Sequence, residues 1–141
     1  MIYLLDTDHI SLMQRGTAEG AIIWRHLRTI APDDYGTTIV TYEGQCRGWL
    51  DKINRARTRE SRLFGYAELK GSLALFSSIA VVEYNAAADA LVTTWERAKI
   101  RVSTKDSRIA AIAIANNATL LSRNTRDFAR IPGLMFEDWT V

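Results

Sequence analysis

The sequence predicts an α/β fold in which a mainly parallel five-stranded sheet carries helices on both faces. Short apolar runs alternate along the chain with longer segments of helical periodicity, which is the pattern of strand–helix–strand units. Such crossover units place consecutive strands parallel in one sheet. The length of 141 residues, without repeats or a linker-like tract, predicts a single domain over residues 1–141.

The predicted strands are short and rich in aliphatic and β-branched residues. They cover residues 2–5, 37–41, 76–82, 119–122 and 134–136. The first ends abruptly at two aspartates, and the dipeptide Pro132–Gly133 predicts the turn before the last.

The predicted helices fill the intervals between these strands, with apolar residues at helical spacing. They cover about residues 9–14, 21–27, 42–52, 61–73, 86–99 and 106–116. The last carries isoleucine and alanine on nearly every side, so we expect it to be buried. A basic, polar turn at residues 56–60 separates the third helix from the fourth.

Composition excludes several classes of protein. A hydrophobic fraction of 48% and a charged fraction of 24% are typical of globular chains rather than disordered ones. No apolar stretch approaches the roughly 18 residues of a membrane span, which predicts no membrane association. The single cysteine, Cys46, excludes an internal disulfide and favours a cytoplasmic location. The only histidines, His9 and His26, have no partners for a zinc site, and we expect surface or helix-end roles for both.

Acidic residues recur where the predicted strands end. Ligands of open α/β sheets bind beyond the carboxyl ends of the strands. Carboxylates gathered there would repel one another unless a cation neutralised them, and oxygen ligands of this kind favour Mg²⁺ or Mn²⁺. The residues that could meet at this edge are Asp6, Glu43, Asp106 and Asp127.

Helix capping offers a second interpretation of each acid. Asp6 could cap the helix that follows the first strand, and Glu43 could favour the positive end of its helix. Residues 103–106 and 124–127 both match the capping-box pattern. Capping does not explain why the acids recur at one edge of the sheet, so the sequence favours a shared site.

Three segments resemble the PIN-domain ribonucleases, and within them the VapC-type toxins of bacterial toxin–antitoxin modules. They are YLLDTDHIS at 3–11, TTIVTYEGQCRG at 37–48 and DSRIAAIAIANNATLLSRNTRDFARIPGL at 106–134. The third is the most specific, because the family pairs an acid-led Ile-Ala-Ala helix with a strand and an Asn-Thr-x-Asp-Phe turn. Asp8 stands where many relatives carry Asn, which suggests an additional carboxylate near the site.

The resemblance implies a PIN-like three-layer sandwich with strand order 3-2-1-4-5, and a metal-dependent endoribonuclease that acts as the toxin of a type II module. It implies Mg²⁺ as the cofactor, with Mn²⁺ as a substitute and one or two ions bound. Asp6 and Asp106 would be the principal metal ligands. The implied catalytic group consists of Asp6, Glu43, Asp106 and Asp127, with Asn124 as a polar helper.

The resemblance also implies partners. RNA is the implied substrate, and its phosphates could be bound by Arg47, Arg123 and Arg126. A cognate antitoxin would neutralise the toxin by placing a basic side chain in the acidic pocket, and the toxin would form a homodimer.

Two other functions are compatible with the residues alone. A catalytically silent module could use the acidic pocket to bind RNA or a protein without turnover. A phosphatase of the haloacid-dehalogenase type could use Asp6 as its nucleophile, although His9-Ile10-Ser11 lacks the threonine that such enzymes carry soon afterwards.

Overall fold

Five parallel strands form one sheet in the order β3-β2-β1-β4-β5, as predicted. The computed structural model describes all residues, 1–141. The strands are β1 (Tyr3–Leu5), β2 (Tyr35–Thr38), β3 (Ala80–Val82), β4 (Thr119–Leu121) and β5 (Phe136–Glu137). The chain therefore begins in the middle of the sheet, and later strands are added on both sides of β1.

Seven α-helices connect and cover the strands. They are α1 (Thr7–Arg15), α2 (Ala18–Leu27), α3 (Ile39–Arg55), α4 (Arg59–Ser78), α5 (Ala86–Arg97), α6 (Thr104–Ala115) and α7 (Thr125–Phe128), and a 3₁₀ turn spans Pro32–Asp34. None of them combines the length and the apolar character that a membrane crossing requires.

Adjacent leucines on the central strands anchor two separate hydrophobic cores. Successive side chains of a strand point to opposite faces of the sheet. Leu4 and Leu120 pack in the core that contains the buried residues of α5 and α6. Leu5 and Leu121 pack in the other core, against α1, α2 and Phe76 of α4. All four leucines are fully buried, so helices cover both faces of the sheet as predicted.

Two predicted strands include several residues that are helical in the structure. β2 ends at Thr38 rather than Thr41, because the Thr38 hydroxyl accepts a hydrogen bond from the Thr41 backbone N–H at 3.1 Å and starts α3 there. The β-branched residues that follow are therefore helical, since the cap outweighs their weak strand preference. Similarly, α4 continues to Ser78, and only Ala80–Val82 form the strand.

Helix ends and the last strand also differ from the predictions by a few residues. α7 was not predicted as a helix, because its four residues are too few to show periodicity. The last strand comprises Phe136–Glu137 rather than residues 134–136, and it pairs with β4 through Leu120 and Leu121.

The strand register brings Asp6 and Ser122 to one edge of the sheet. Leu5, the last residue of β1, is aligned with Thr37 of β2 and with Leu121 of β4. Asp6 and Ser122 thus leave neighbouring parallel strands at the same level, and the N-terminus of α1 begins there.

The crossing of α1 and α2 depends on a glycine. A Cβ atom on Gly20 would collide with the backbone carbonyl of Leu12, whereas one on Gly48 in α3 meets no atom within 4 Å. We predict that Gly20→Ala lowers the free energy of unfolding by about 1–3 kcal/mol. Gly48→Ala should raise it by about 0.5–1 kcal/mol, since alanine is the better helix former. Urea denaturation followed by circular dichroism measures both free energies of unfolding. Equal changes in the two variants would contradict the close contact between Gly20 and Leu12.

Candidate active site

Asp6 is the buried centre of the site. Its side chain caps α1, because Oδ1 accepts the Thr7 backbone N–H at 2.7 Å, and Oδ2 accepts the Ser122 hydroxyl at 2.7 Å. Only 4% of the residue is exposed. The pKa of Asp6 is raised from 3.8 to about 6, chiefly by burial and also by the charges of Asp8 and Asp106, while the two hydrogen bonds act to lower it. The capping interpretation is therefore correct for Asp6 but incomplete.

Asp8 faces the same pocket from the first turn of α1. Its Oδ2 accepts the Arg123 backbone N–H at 2.9 Å and lies 3.2 Å from the Ser122 hydroxyl. A hydroxyl has only one proton, and the shorter contact directs it to Asp6. Asp8 thus holds the turn after β4 through the Arg123 amide and adds a second negative charge beside Asp6.

Asp106 reaches the pocket from the first turn of α6. The Ser103 hydroxyl caps this helix by accepting the Asp106 backbone N–H at 3.2 Å, but the Asp106 carboxylate forms no return bond to the Ser103 N–H. Its Oδ2 instead accepts the Asn124 amide at 3.1 Å. Burial raises the pKa of Asp106; the charges of Asp127 and Asp8 raise it too, and the hydrogen bonds from Ser103 and Asn124 lower it. The capping box predicted for residues 103–106 is only half formed.

Asn124 and Asp127 complete this side of the pocket. The Asn124 side chain does not cap α7, contrary to the capping interpretation, because its amide is directed to Asp106. Asp127 lies on α7 near enough to Asp106 to raise its pKa. The Asp127 side chain is 41% exposed, and its 3.8 Å separation from the Arg130 guanidinium makes only a loose ion pair.

Glu43 stands apart from the aspartates in its interactions. It lies on α3, where its Oε2 accepts Arg47 Nη2 at 2.8 Å, and its side chain is 44% exposed. The Lys105 ammonium, next to Asp106 in the chain, lies 3.5 Å from where a Cβ on Gly44 would stand. The Lys105 side chain therefore reaches the first turns of α3 from the start of α6. The participation of Glu43 in catalysis remains a prediction.

Two of the three predicted substrate-binding arginines belong to the segment that forms one side of the pocket. Arg123 and Arg126 are exposed on the segment that carries Asn124 and Asp127. Arg47 is also exposed, but its guanidinium is engaged by Glu43. Their assignment to RNA binding remains a prediction.

The carboxylate oxygens of Asp6 and Asp106 suit a hard divalent cation that is held by few protein ligands. No group of three His, Cys, Asp or Glu side chains encloses an ion by itself. Mg²⁺ usually needs no such cage, because it keeps several waters and binds one or two carboxylates plus substrate phosphates. Each oxygen of Asp6 retains a lone pair beyond its present hydrogen bond, and Asp106 offers a second carboxylate. No lysine or arginine forms an ion pair with either aspartate.

His9 was missed as part of this region, and the expected surface or helix-end role is wrong for it. Its side chain is fully buried, and Nδ1 lies 2.6 Å from Asp8 Oδ1. The sequence gives little signal of this burial, because the contacting residue Trp139 lies 130 positions away. His26 is exposed, as expected, and stacks on the same tryptophan.

We predict that Asp6 destabilises the metal-free protein at neutral pH. Because its pKa is higher in the folded state, the folded protein binds an extra proton between pH 4 and 6 and loses stability as the pH rises through that window. A shift from 3.8 to about 6 corresponds to roughly 3 kcal/mol. Asp6→Asn should therefore match the parent near pH 4 and exceed its unfolding free energy by a few kcal/mol at pH 7, in EDTA.

Asp33→Asn is the matched control, since it removes the same charge from the exposed 3₁₀ turn at the opposite end of the sheet. Chemical denaturation at several pH values measures the difference. If the difference in unfolding free energy between Asp6→Asn and the parent is the same at pH 4 and pH 7, the raised pKa of Asp6 is contradicted.

Sequence comparisons with known proteins give one match, over part of the chain. No family model matches the chain. One 49-residue segment is 43% identical to Ribonuclease VapC2 of Rickettsia felis, and it spans 35% of this chain and only 37% of that relative.

Solved structures match over the whole length. A chain of VapBC-1 from nontypeable Haemophilus influenzae superposes with a TM-score of 0.76, 24% identity and complete coverage of both chains. DNA-bound VapBC of Salmonella typhimurium gives 0.75 at 20% identity, covering 99% of this chain and 98% of that one. VapBC2 of Rickettsia felis, bound to a promoter DNA fragment, gives 0.70 at 21% identity, covering 99% of both chains. The resemblance to VapC-type PIN-domain proteins that the sequence indicates is therefore confirmed, in one matched segment and in the fold of the whole chain.

Proposed function

We propose that this chain is a single-domain, Mg²⁺-dependent endoribonuclease and the toxin of a type II toxin–antitoxin module. The observation that carries the proposal is the group of Asp6, Asp8 and Asp106, which face one another without a neutralising lysine or arginine. Such a group is costly unless a cation binds there. The name of the curated relative, a VapC ribonuclease, and the VapBC complexes with this fold support the same function.

Asp6 and Asp106 are the residues that would hold the ion. Ser122 fixes the orientation of Asp6, and the Asn124 amide fixes that of Asp106, so both carboxylates are preorganised. When bound, Mg²⁺ or Mn²⁺ supplies positive charge for the phosphate oxygens and lowers the pKa of nearby water.

The proton acceptor is a carboxylate, because neither histidine is available. His9 is buried between Asp8 and the Trp139 backbone, and His26 stacks on the Trp139 ring. Asp127 is exposed beside Asp106 and takes the proton of the attacking water. The water oxygen bonds to phosphorus as the bond to the leaving ribose oxygen breaks, and the leaving oxygen takes a proton from solvent. Glu43 helps to orient the reactants.

The substrate contacts are electrostatic. Arg123 and Arg126, on either side of Asn124, bind phosphates that flank the scissile one, and Arg47 contributes once its pairing with Glu43 is exchanged for phosphate. These contacts position RNA without reading its bases.

A cognate antitoxin is the proposed protein partner. Its basic side chain enters the acidic pocket and replaces the charge of the metal, which stops the reaction by simple electrostatics. The toxin acts in the cytoplasm as a homodimer. The structural neighbours are VapBC proteins, and they support the antitoxin by analogy.

The phosphatase alternative is disfavoured by the surroundings of Asp6. A nucleophilic carboxylate must approach phosphorus, yet only 4% of Asp6 is exposed and both oxygens already accept hydrogen bonds. The silent binding module shares every feature of the site and differs only in lacking turnover, so activity measurements separate it.

We predict that Asp106→Asn abolishes Mg²⁺-dependent RNA cleavage while the protein stays folded. The substitution keeps the volume and removes one anionic ligand, and the Ser103 cap is unaffected because it binds the backbone N–H. Relief of repulsion should leave the melting temperature unchanged or slightly higher. The measurement is sequencing of new RNA ends after incubation of total RNA with purified protein, with and without EDTA.

Asp33→Asn again serves as the control and should cleave like the parent. Cleavage by folded Asp106→Asn that is undiminished and resists EDTA would end the metal-nuclease proposal. Binding of RNA without new ends by the parent would favour the silent module.

A further inference from the structure

A fully buried histidine links the acidic pocket to the C-terminal end of the chain. On one side His9 Nδ1 lies 2.6 Å from Asp8 Oδ1. On the other side His9 Nε2 accepts the Trp139 backbone N–H at 3.2 Å. Nothing in the proposed chemistry uses this histidine, and no part of it is exposed.

The hydrogen bonds determine which nitrogen of His9 carries the proton. Nε2 accepts a backbone N–H, so it has no proton of its own, and Nδ1 must be the protonated nitrogen that donates to Asp8. Asp138 Oδ1 lies 3.9 Å from Nε2, which is too long for a competing hydrogen bond. Asp138 is itself engaged by the Thr140 backbone N–H at 2.8 Å and hydroxyl at 2.6 Å.

The contacts of Asp8 extend from His9 to the turn after β4, at residues 122–124. With Oδ1 held by His9, Oδ2 is aimed at the Arg123 backbone N–H. This bond fixes the turn after β4, whose Ser122 hydroxyl binds Asp6 and accepts the Asn124 backbone N–H at 3.0 Å. The Asn124 amide then holds Asp106.

We propose that His9 is a positioning residue that orients Asp8, and through it Asp6 and Asp106, and that the docked C-terminal segment 138–140 holds His9 in place. The proposal rests on the nuclease function proposed above. The segment is well anchored for this role, because Trp139 is only 9% exposed. The centroid of its ring lies 4.7 Å from that of the Tyr3 ring and 4.9 Å from that of the His26 ring.

Two substitutions of His9 separate its two hydrogen bonds. His9→Asn carries an amide N–H near the position of Nδ1, so it can still donate to Asp8 but cannot reach the Trp139 N–H. His9→Gln carries its carbonyl near the position of Nε2, so it can accept from Trp139 but no longer donates to Asp8. Ile10→Val is the control for general loss of core packing, since Ile10 is the adjacent fully buried residue.

We expect His9→Gln to lose about 10–100-fold in kcat for RNA cleavage and about 10-fold or more in Mn²⁺ affinity measured by calorimetry. KM for RNA should stay within a few-fold of the parent, because the exposed arginines are untouched. His9→Asn should recover most of both losses despite a lower melting temperature, and Ile10→Val should match the parent in kcat and Mn²⁺ affinity. Nitrogen-15 NMR of the metal-free parent should show His9 protonated at Nδ1 alone.

Parent-like kcat and Mn²⁺ affinity in folded His9→Gln, or protonation of His9 at Nε2, would overturn the proposal. Equal losses in His9→Asn and His9→Gln would also overturn it, by showing that only packing matters. If the parent itself cleaves no RNA, the nuclease function fails, and the Mn²⁺ and NMR measurements still decide the role of His9.

Discussion

Like charges held together at the carboxyl edge of the sheet are the constraint on which the rest of the site depends. Asp6 is buried with its charge facing those of Asp8 and Asp106, and no lysine or arginine forms an ion pair with any of the three. Hydrogen bonds from Ser122, the Arg123 amide and Asn124 hold the three carboxylates in place against their repulsion. The surrounding fold thus stores an electrostatic cost that a bound cation would relieve.

The sheet makes this arrangement possible. β1 and β4 are adjacent and parallel, and each is buried on both faces by a leucine pair, so their register is firmly set. Ser122 and Asp6 are therefore held close enough to form a hydrogen bond, although they lie 116 positions apart in the sequence. Helices α1 and α6 then begin at this edge and bring Asp8 and Asp106 to it.

The sequence predicted the fold class, because parallel strands end at a common edge whatever the details of packing. It also predicted that Asp6, Glu43, Asp106 and Asp127 meet at that edge; Asp106 lies near both Asp6 and Asp127, whereas Glu43 is paired with Arg47 on α3. It did not reveal that residues 39–41 are helical. Their β-branched side chains favour a strand, and the helix begins there only because the Thr38 side chain caps it. Nor did it reveal the burial of His9, which depends on where the last residues of the chain dock. Local propensity carries no information about such distant contacts.

Binding of a divalent cation between Asp6 and Asp106 is the proposal from which the rest of the function follows. Its most direct test is a crystal structure of the protein soaked in Mn²⁺, with anomalous diffraction measured at the manganese edge. We expect an anomalous peak within coordinating distance of carboxylate oxygens of both residues, at about 2.0–2.2 Å as for a hard divalent ion. Absence of a peak in this pocket at saturating Mn²⁺, or a peak bound only elsewhere on the molecule, would contradict it.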